Sequence, residues 1–547
     1  MEAIRPDYVA YAIMIIVALV LLCWRFENNN KTTHGAAAWC RVFTAFRKGL
    51  FKKRGLYVGD WTGRLAVHYQ GAHAITFGMT GCGKGTAAIL PNLLTLKRAF
   101  VVDPGGENAA TAIKAWRKDR LEIACINPFA MHTDKPWALP VHGFNPLSQL
   151  DANSASFAAD ALLFAEMLTP RTGKESGSSG YFKDAAASAK RAMLVHIKTA
   201  EPAHRQNIAT LYEYAYAGLA NWNALLRAMK TNPACGHLAK FEADKLSRIE
   251  ATAPEEFSAI MSTIQQDLAF LADPLVRQNL SRNDVDFRKL KAKGKASNGC
   301  IISVVMPLEY IESHAAITRL AMACAILCLQ RKPYAPEPVT FLIDEAAALG
   351  KIVRLPNWLA TLRKYKVRVW TIWQNIGQVV ELYGANWQTI VSNCALLQIL
   401  GVSDLQTAQY TRDMIGQSTV VTESVNARGE RSVSHTARPL LMAEELLRTN
   451  DDEQIVLLGN LWPMRLKKVA YWNRPELQGR YNPGPFYDGK MPKRSPYNSI
   501  SAFWGRLYYA LVCLMAPHPL VALAMTGLML LYGLPYVHDA GLIGGLK

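Results

Sequence analysis

The chain has 547 residues, half of them hydrophobic, with a net charge of +18 and a pI near 9.4. That length exceeds one ordinary core, so more than one domain is expected, and the basic excess favours polyanions such as nucleic acid or an anionic membrane surface. The 10 cysteines include no C-x-x-C pair and the 12 histidines no ligand-spaced cluster, which argues against structural zinc and for a reduced, cytosolic bulk.

Tyr8 to Trp24 is apolar and uncharged, long enough for a short membrane span. No small-residue cleavage site follows it, so residues 1–24 read as a retained anchor rather than a signal peptide. Basic residues follow, among them Arg25, Lys31, Arg41 and Arg47, which places the rest of the chain in the cytoplasm by the positive-inside rule. Residues 25–70 read as a basic juxtamembrane linker, with Phe43, Phe46 and Phe51 available to anionic lipid or simply solvated.

From about Gly71 short apolar runs alternate with helical patterns. Ala74–Phe77 reads as a strand, Ala99–Asp103 as a second and Ile123–Ile126 as a third. Residues 71–150 read as the first part of a domain that its glycine-rich loop marks as nucleotide-binding. Alanine- and leucine-rich helical spacing then takes over, and 151–295 reads as an all-α inserted domain. Strands return at Cys300–Val305, Val339–Ile343, Val367–Trp373 and Ala395–Leu400, with Gln454–Leu458 closing the series, so 296–480 is the second part. Strands separated by helices imply an α/β fold with a parallel-rich sheet covered on both faces. Residues 481–547 read as a linker and a hydrophobic tail, Leu507 to Val537, broken by Pro517-His518-Pro519 and suited to membrane contact or to a partner.

Gly78-Met79-Thr80-Gly81-Cys82-Gly83-Lys84-Gly85-Thr86 lies between a strand and a helix. Glycines there let backbone N–H groups surround a phosphate, the helix N-terminus adds positive potential, and Lys84 supplies a mobile ammonium for the β- and γ-phosphates of ATP. Gly78, Thr80, Gly81, Cys82, Gly83, Lys84, Gly85 and Thr86 are therefore the nucleotide candidates. Gly85 stands where a Ser or Thr usually meets magnesium, and Thr86, one place on, is the replacement candidate.

Asp344 and Glu345 end a strand later in the chain. One carboxylate there can hold Mg2+ and the second can deprotonate an attacking water. Gln374 ends the next strand, where a neutral amide can touch the γ-phosphate or the water. Arg363, between those two strands, can reach a neighbouring subunit's γ-phosphate from the rim of a ring. Lys364, Lys366 and Arg368, with Tyr365, Trp370 and Trp373, suit a surface that tracks phosphates and stacks bases.

Taken together, these residues resemble the type IV secretion coupling proteins, the membrane-anchored ATPases of bacterial conjugation. The resemblance runs from about Gly71 to Trp472 and includes the phosphate loop, Val102-Asp103-Pro104-Gly105-Gly106-Glu107-Asn108, Phe144-Asn145-Pro146-Leu147, and Phe341 to Glu345 with Ala348-Leu349-Gly350. Gln378, Tyr383-Gly384, Asp404 and Gly416 follow in the family's order, while Gly105 departs from it where lysine is common. The resemblance implies a RecA-like motor at the bacterial inner membrane, a homo-hexamer around a pore. Its implied partners are single-stranded DNA, a relaxase or relaxosome, and the components of a type IV channel. It also leaves rivals open: a nucleotide-binding scaffold without motor activity, delivery of protein effectors, and a septal double-stranded DNA pump.

Overall fold

The computed structural model describes residues 33–493, apart from 62–64, 176, 293–296, 332–336, 426–428, 430 and 487–489. The expected anchor at 8–24 and the apolar tail at 507–537 lie outside those residues. Among the described residues no helix is long and apolar enough to cross a membrane.

The strands, in chain order, are β1 Leu56–Trp61, β2 Leu65–Tyr69, β3 Ala74–Gly78, β4 Arg98–Pro104, β5 Glu122–Ile126, β6 Cys300–Met306 and β7 Val339–Ile343. They continue with β8 Val367–Trp373, β9 Leu396–Gly401, β10 Gln417–Val425, β11 Arg431–Pro439, β12 Glu453–Leu458 and β13 Met464–Lys467. Eleven form one sheet in the order β2-β1-β13-β12-β9-β3-β8-β7-β4-β6-β5. From β9 to β5 every neighbouring pair is parallel. β3, β6, β7 and β8 are buried along their whole length, which explains their unbroken apolar runs, because helices cover both faces.

Beyond β9 the sheet turns antiparallel through β12, β13, β1 and β2. This corrects two expectations. The segment 25–70 is not simply a linker, since residues 56–69 carry two strands of the central sheet and Phe51 is buried against it. Nor does the folded body stop at 480. Tyr481 and Asn482 are buried, and Asn482 bonds through its backbone N–H to Thr111 O (3.0 Å) and through Nδ2 to Ala110 O (3.1 Å).

A buried polar network ties this flank to the loop strand. Trp370 Nε1 donates to Thr76 Oγ1 (2.8 Å) and Thr76 Oγ1 to Gln398 Oε1 (2.9 Å). Gln398 Nε2 in turn donates to Gln454 Oε1 (2.7 Å) and to Val58 O (2.9 Å). Each member of this network thereby replaces water it has lost.

Between β5 and β6 the described residues contain only helices, the longest being Ser178–Ala200 and Ala234–Thr252. Their apolar faces join one face of the sheet in a single continuous core, from Phe164 and Met193 through to Phe100 and Phe341. β10 and β11 pair with each other as a largely exposed ribbon, whose base is joined to residues 35–37 by an isolated antiparallel bridge between Ser418 and Ala36.

Candidate nucleotide site

Residues distant in the chain meet at the C-terminal ends of four adjacent parallel strands, β3, β8, β7 and β4. β3 leads into the glycine loop. Gly81 and Gly83 adopt φ of +81° and +91°, the left-handed backbone that an ordinary side chain resists and that turns N–H groups inward. A wide helical turn, Lys84–Ile89, begins directly after Gly83. Such π-type turns collect at functional sites.

Lys84 reaches across the mouth of β8 to Glu345, with Nζ 3.5 Å from Oε2. The other carboxylate oxygen, Oε1, accepts from Gln374 Nε2 at 3.3 Å. Three of the sequence-predicted residues thus form one cluster. Glu345 holds a φ of +54°, backbone strain of the kind that concentrates at working sites. Gln374 is braced in turn, its backbone N–H donating to Gln378 Oε1 at 2.8 Å.

Asp344 lies beneath this cluster. Burial, the largest cause, pushes its carboxyl up to about 6, against the opposing pull of Lys84. Asp103, fully buried at the end of β4, is pushed up to about 7, again chiefly by burial, with Asp344 adding to the rise. Asn108 joins the two acids: its Nδ2 donates to Asp103 Oδ1 at 2.9 Å and to Asp344 Oδ2 at 3.2 Å. A hard, all-oxygen donor set short of positive charge fits magnesium. Among the described residues no group of three or more His, Cys, Asp or Glu makes a metal cage, and magnesium at a phosphate site needs none, since phosphates and water complete its shell.

Other expected residues fall elsewhere. The Thr86 hydroxyl donates back to Gly83 O at 3.4 Å, within its own turn. Arg363 is exposed just before β8, at the end of that strand opposite Gln374, and so lies away from its own chain's Lys84. The base-stacking surface drawn around it needs correction. Trp370 and Trp373 are 1% exposed, and Arg368 is buried with Nε on Gly71 O at 2.9 Å, because β8 is covered on both faces.

Two contributors escaped the sequence reading. Asn108 carries no signal beyond its place in a glycine-containing block. Lys468, after β13, donates to Cys82 O (3.0 Å) and Leu400 O (2.7 Å) and so supports the loop from the antiparallel side. Nothing in a basic chain sets that lysine apart.

Strand, glycine loop, helix and strand-end carboxylates on a parallel-rich sheet define an α/β protein of the phosphate-loop class with a RecA-like fold. More particularly, the chain belongs to the family described as Type IV secretory system Conjugative DNA transfer, whose model matches residues 30–493. It is 24% identical over 488 residues to the protein VirD4 of Agrobacterium fabrum, covering 84% of this chain and 68% of VirD4. It is 23% identical over 424 residues to the conjugal transfer protein TraG of the same organism, covering 75% of this chain but only 62% of TraG. Among solved structures, the bacterial conjugative coupling protein TrwBdeltaN70 superposes with a TM-score of 0.58 at 15% identity, covering 81% of this chain and 96% of that one. The plasmid coupling protein TrwB in complex with ADP and Mg2+ gives 0.56 at 17%, covering 79% and 93%. The resemblance to type IV secretion coupling proteins seen in the sequence is thereby shown.

Proposed function

We propose that this chain is an ATPase that couples DNA, carried as a relaxase–DNA conjugate, to a type IV secretion channel at the bacterial inner membrane, and that it moves single-stranded DNA as a homo-hexamer. The meeting of Lys84, Glu345 and Gln374 over the loop, with Asp344 below, is the observation that carries this reading. The loop N–H groups and Lys84 hold the β- and γ-phosphates. Magnesium, when bound, neutralises phosphate charge, and Asp344 is the carboxylate placed to hold it. Glu345 takes a proton from the attacking water as the new phosphorus–oxygen bond forms and the bond to the β-phosphate oxygen breaks, leaving ADP and phosphate. Gln374, bonded to Glu345, senses whether the γ-phosphate is present. Arg363, exposed and placed at the end of β8 away from its own loop, suits the γ-phosphate of a neighbouring copy.

Family membership and the solved relative with ADP and Mg2+ support nucleotide use. The basic excess supports a polyanionic substrate. So does a cavity of about 700 Å³ at the opposite strand ends, lined in part by Lys53, Arg54, Lys97 and Arg98. Residues 8–24 supply the anchor in this reading. The test is phosphate release by the purified full chain with and without single-stranded DNA. The wild type should turn over ATP and be stimulated by DNA, while Lys84→Ala should do neither. Nucleotide binding without phosphate release would leave the scaffold reading in its place.

A further inference from the structure

We infer that Asn108 is a magnesium ligand of this site, its side-chain carbonyl oxygen standing in for the hydroxyl that the phosphate loop lacks at Gly85. The inference rests on the nucleotide reading above and deepens it.

In a phosphate loop the residue after the lysine normally presents a hydroxyl to the metal. Here that residue is Gly85, and the neighbouring Thr86 hydroxyl is turned back onto Gly83 O. The residue directly after the lysine therefore brings no side-chain oxygen of its own. Asn108 fills that place from a different strand–helix unit. It is the second residue of the helix Glu107–Lys118, which follows β4, and it is only 5% exposed.

Its orientation is determined by its partners. Both Asp103 Oδ1 (2.9 Å) and Asp344 Oδ2 (3.2 Å) face the same side-chain nitrogen. Ionised carboxylate oxygens accept, and only the NH2 end of the amide donates, so this orientation is the one that serves both acids. The carbonyl oxygen must then point the other way, and it does. Oδ1 is the nearest atom to the place a Cβ on Gly85 would occupy, 3.9 Å away. The contacts that fix the amide are all on its nitrogen, and Oδ1 is not one of the buried side-chain atoms left without a partner, so it is not sealed away from a ligand. An asparagine carbonyl is a hard oxygen donor of the kind magnesium accepts, and the same amide holds Asp344 in position through its NH2 group.

The spacing also makes the exchange reversible by design. A Cβ at Gly85 would meet only ordinary van der Waals contact, and Gly85 is not among the positive-φ glycines, so a serine fits there without strain. The experiment titrates Mg2+ against a fluorescent ADP bound to the full chain, compared with the same ADP in EDTA. Asn108→Ala should leave metal-free ADP affinity within about threefold and raise the apparent Mg2+ dissociation constant at least tenfold. Adding Gly85→Ser to that variant should restore the constant to within about threefold of wild type.

Equal loss of affinity with and without metal, an unchanged Mg2+ constant, or no rescue by serine would overturn the assignment. A wild-type chain that binds no ADP would refute the nucleotide reading, and this one with it. If the variant does not fold, 13C ENDOR on the wild-type Mn2+–ADP complex, labelled at asparagine Cγ, decides. Strong coupling, as from a carbon one bond from a ligating oxygen, supports Asn108, and weak coupling alone overturns it.

Discussion

Replacing Glu345 by glutamine removes one negative charge and little else. The side chain keeps its length, its oxygen still accepts from Gln374, and the φ of +54° is undisturbed. Lys84 loses a counter-ion at 3.5 Å, and the two side chains are 15% and 25% exposed. Most of each side chain is covered, so the loss falls between about 1 kcal/mol, as for an exposed pair, and about 3 kcal/mol, as for a buried one. Removing a carboxylate from beside the γ-phosphate relieves repulsion of similar size, so ATP affinity should change by less than about fivefold. Hydrolysis responds differently, because glutamine cannot take the water's proton. Loss of a general base lowers turnover by about 10²–10⁴, or about 3–5 kcal/mol in the barrier. Equilibrium binding of a fluorescent ATP analogue and stopped-flow phosphate release measure the two effects separately. Turnover within tenfold of wild type, or a fall in affinity that matches the fall in rate, would refute a role for Glu345 as base.

Three further outcomes follow from the described contacts. Thr76→Val leaves the Trp370 Nε1 donor and the Gln398 Oε1 acceptor without their shared hydroxyl inside the sheet. Two orphaned buried groups cost about 3 kcal/mol together, so the thermal midpoint should fall by several degrees, and an unchanged midpoint would contradict the network. His73 is 2% exposed, its Nδ1 accepts from Val369 N at 3.1 Å, and burial, helped by Arg368 and Arg363, lowers its pKa to about 4. The unfolded chain then binds more protons than the folded one between about pH 6.5 and 4, and stability falls as the pH is lowered through that window. The loss from pH 7 to 5 is about 2 kcal/mol at this site, and denaturant midpoints should show it shrinking in His73→Asn. Arg354 pairs with Glu166 through two bonds of 2.7 and 2.9 Å, joining the helical segment to the arm after Glu345. Being partly exposed, the pair contributes under about 1 kcal/mol to stability. Glu166→Gln should therefore leave the midpoint almost unmoved while reducing the stimulation of phosphate release by DNA, and a full DNA response would rule out that route of coupling.

The parallel half of the sheet was legible because its strands are buried on both faces and read as short, unbroken apolar runs. The antiparallel flank was not. β2 alternates, with Ala66 and His68 half-exposed, β13 spans only Met464–Lys467, and β1 carries Gly59 and Asp60 in mid-strand. Asp60 is tolerated there because Arg474 donates to it at 3.0 Å, a partner more than four hundred residues away that no local pattern can supply. The error over Trp370 and Trp373 has the same origin. An aromatic beside basic residues reads as a stacking surface until the neighbouring strands and helices are known to cover it.

The candidate site divides along a similar line. A glycine loop must be contiguous in sequence to fold around a phosphate, so its residues announce themselves together. Asp344, Glu345 and Gln374 were legible one step less directly, because each directly follows a strand whose burial the sequence betrays. Asn108 depends on a pairing decision, since it meets Asp344 only because β4 lies beside β7 in the sheet. Gly85, which looks like a weakness when the loop is considered alone, gains a physical explanation from that same pairing. The missing oxygen is supplied across the sheet, and the amide that supplies it also orients the acid it would share the metal with.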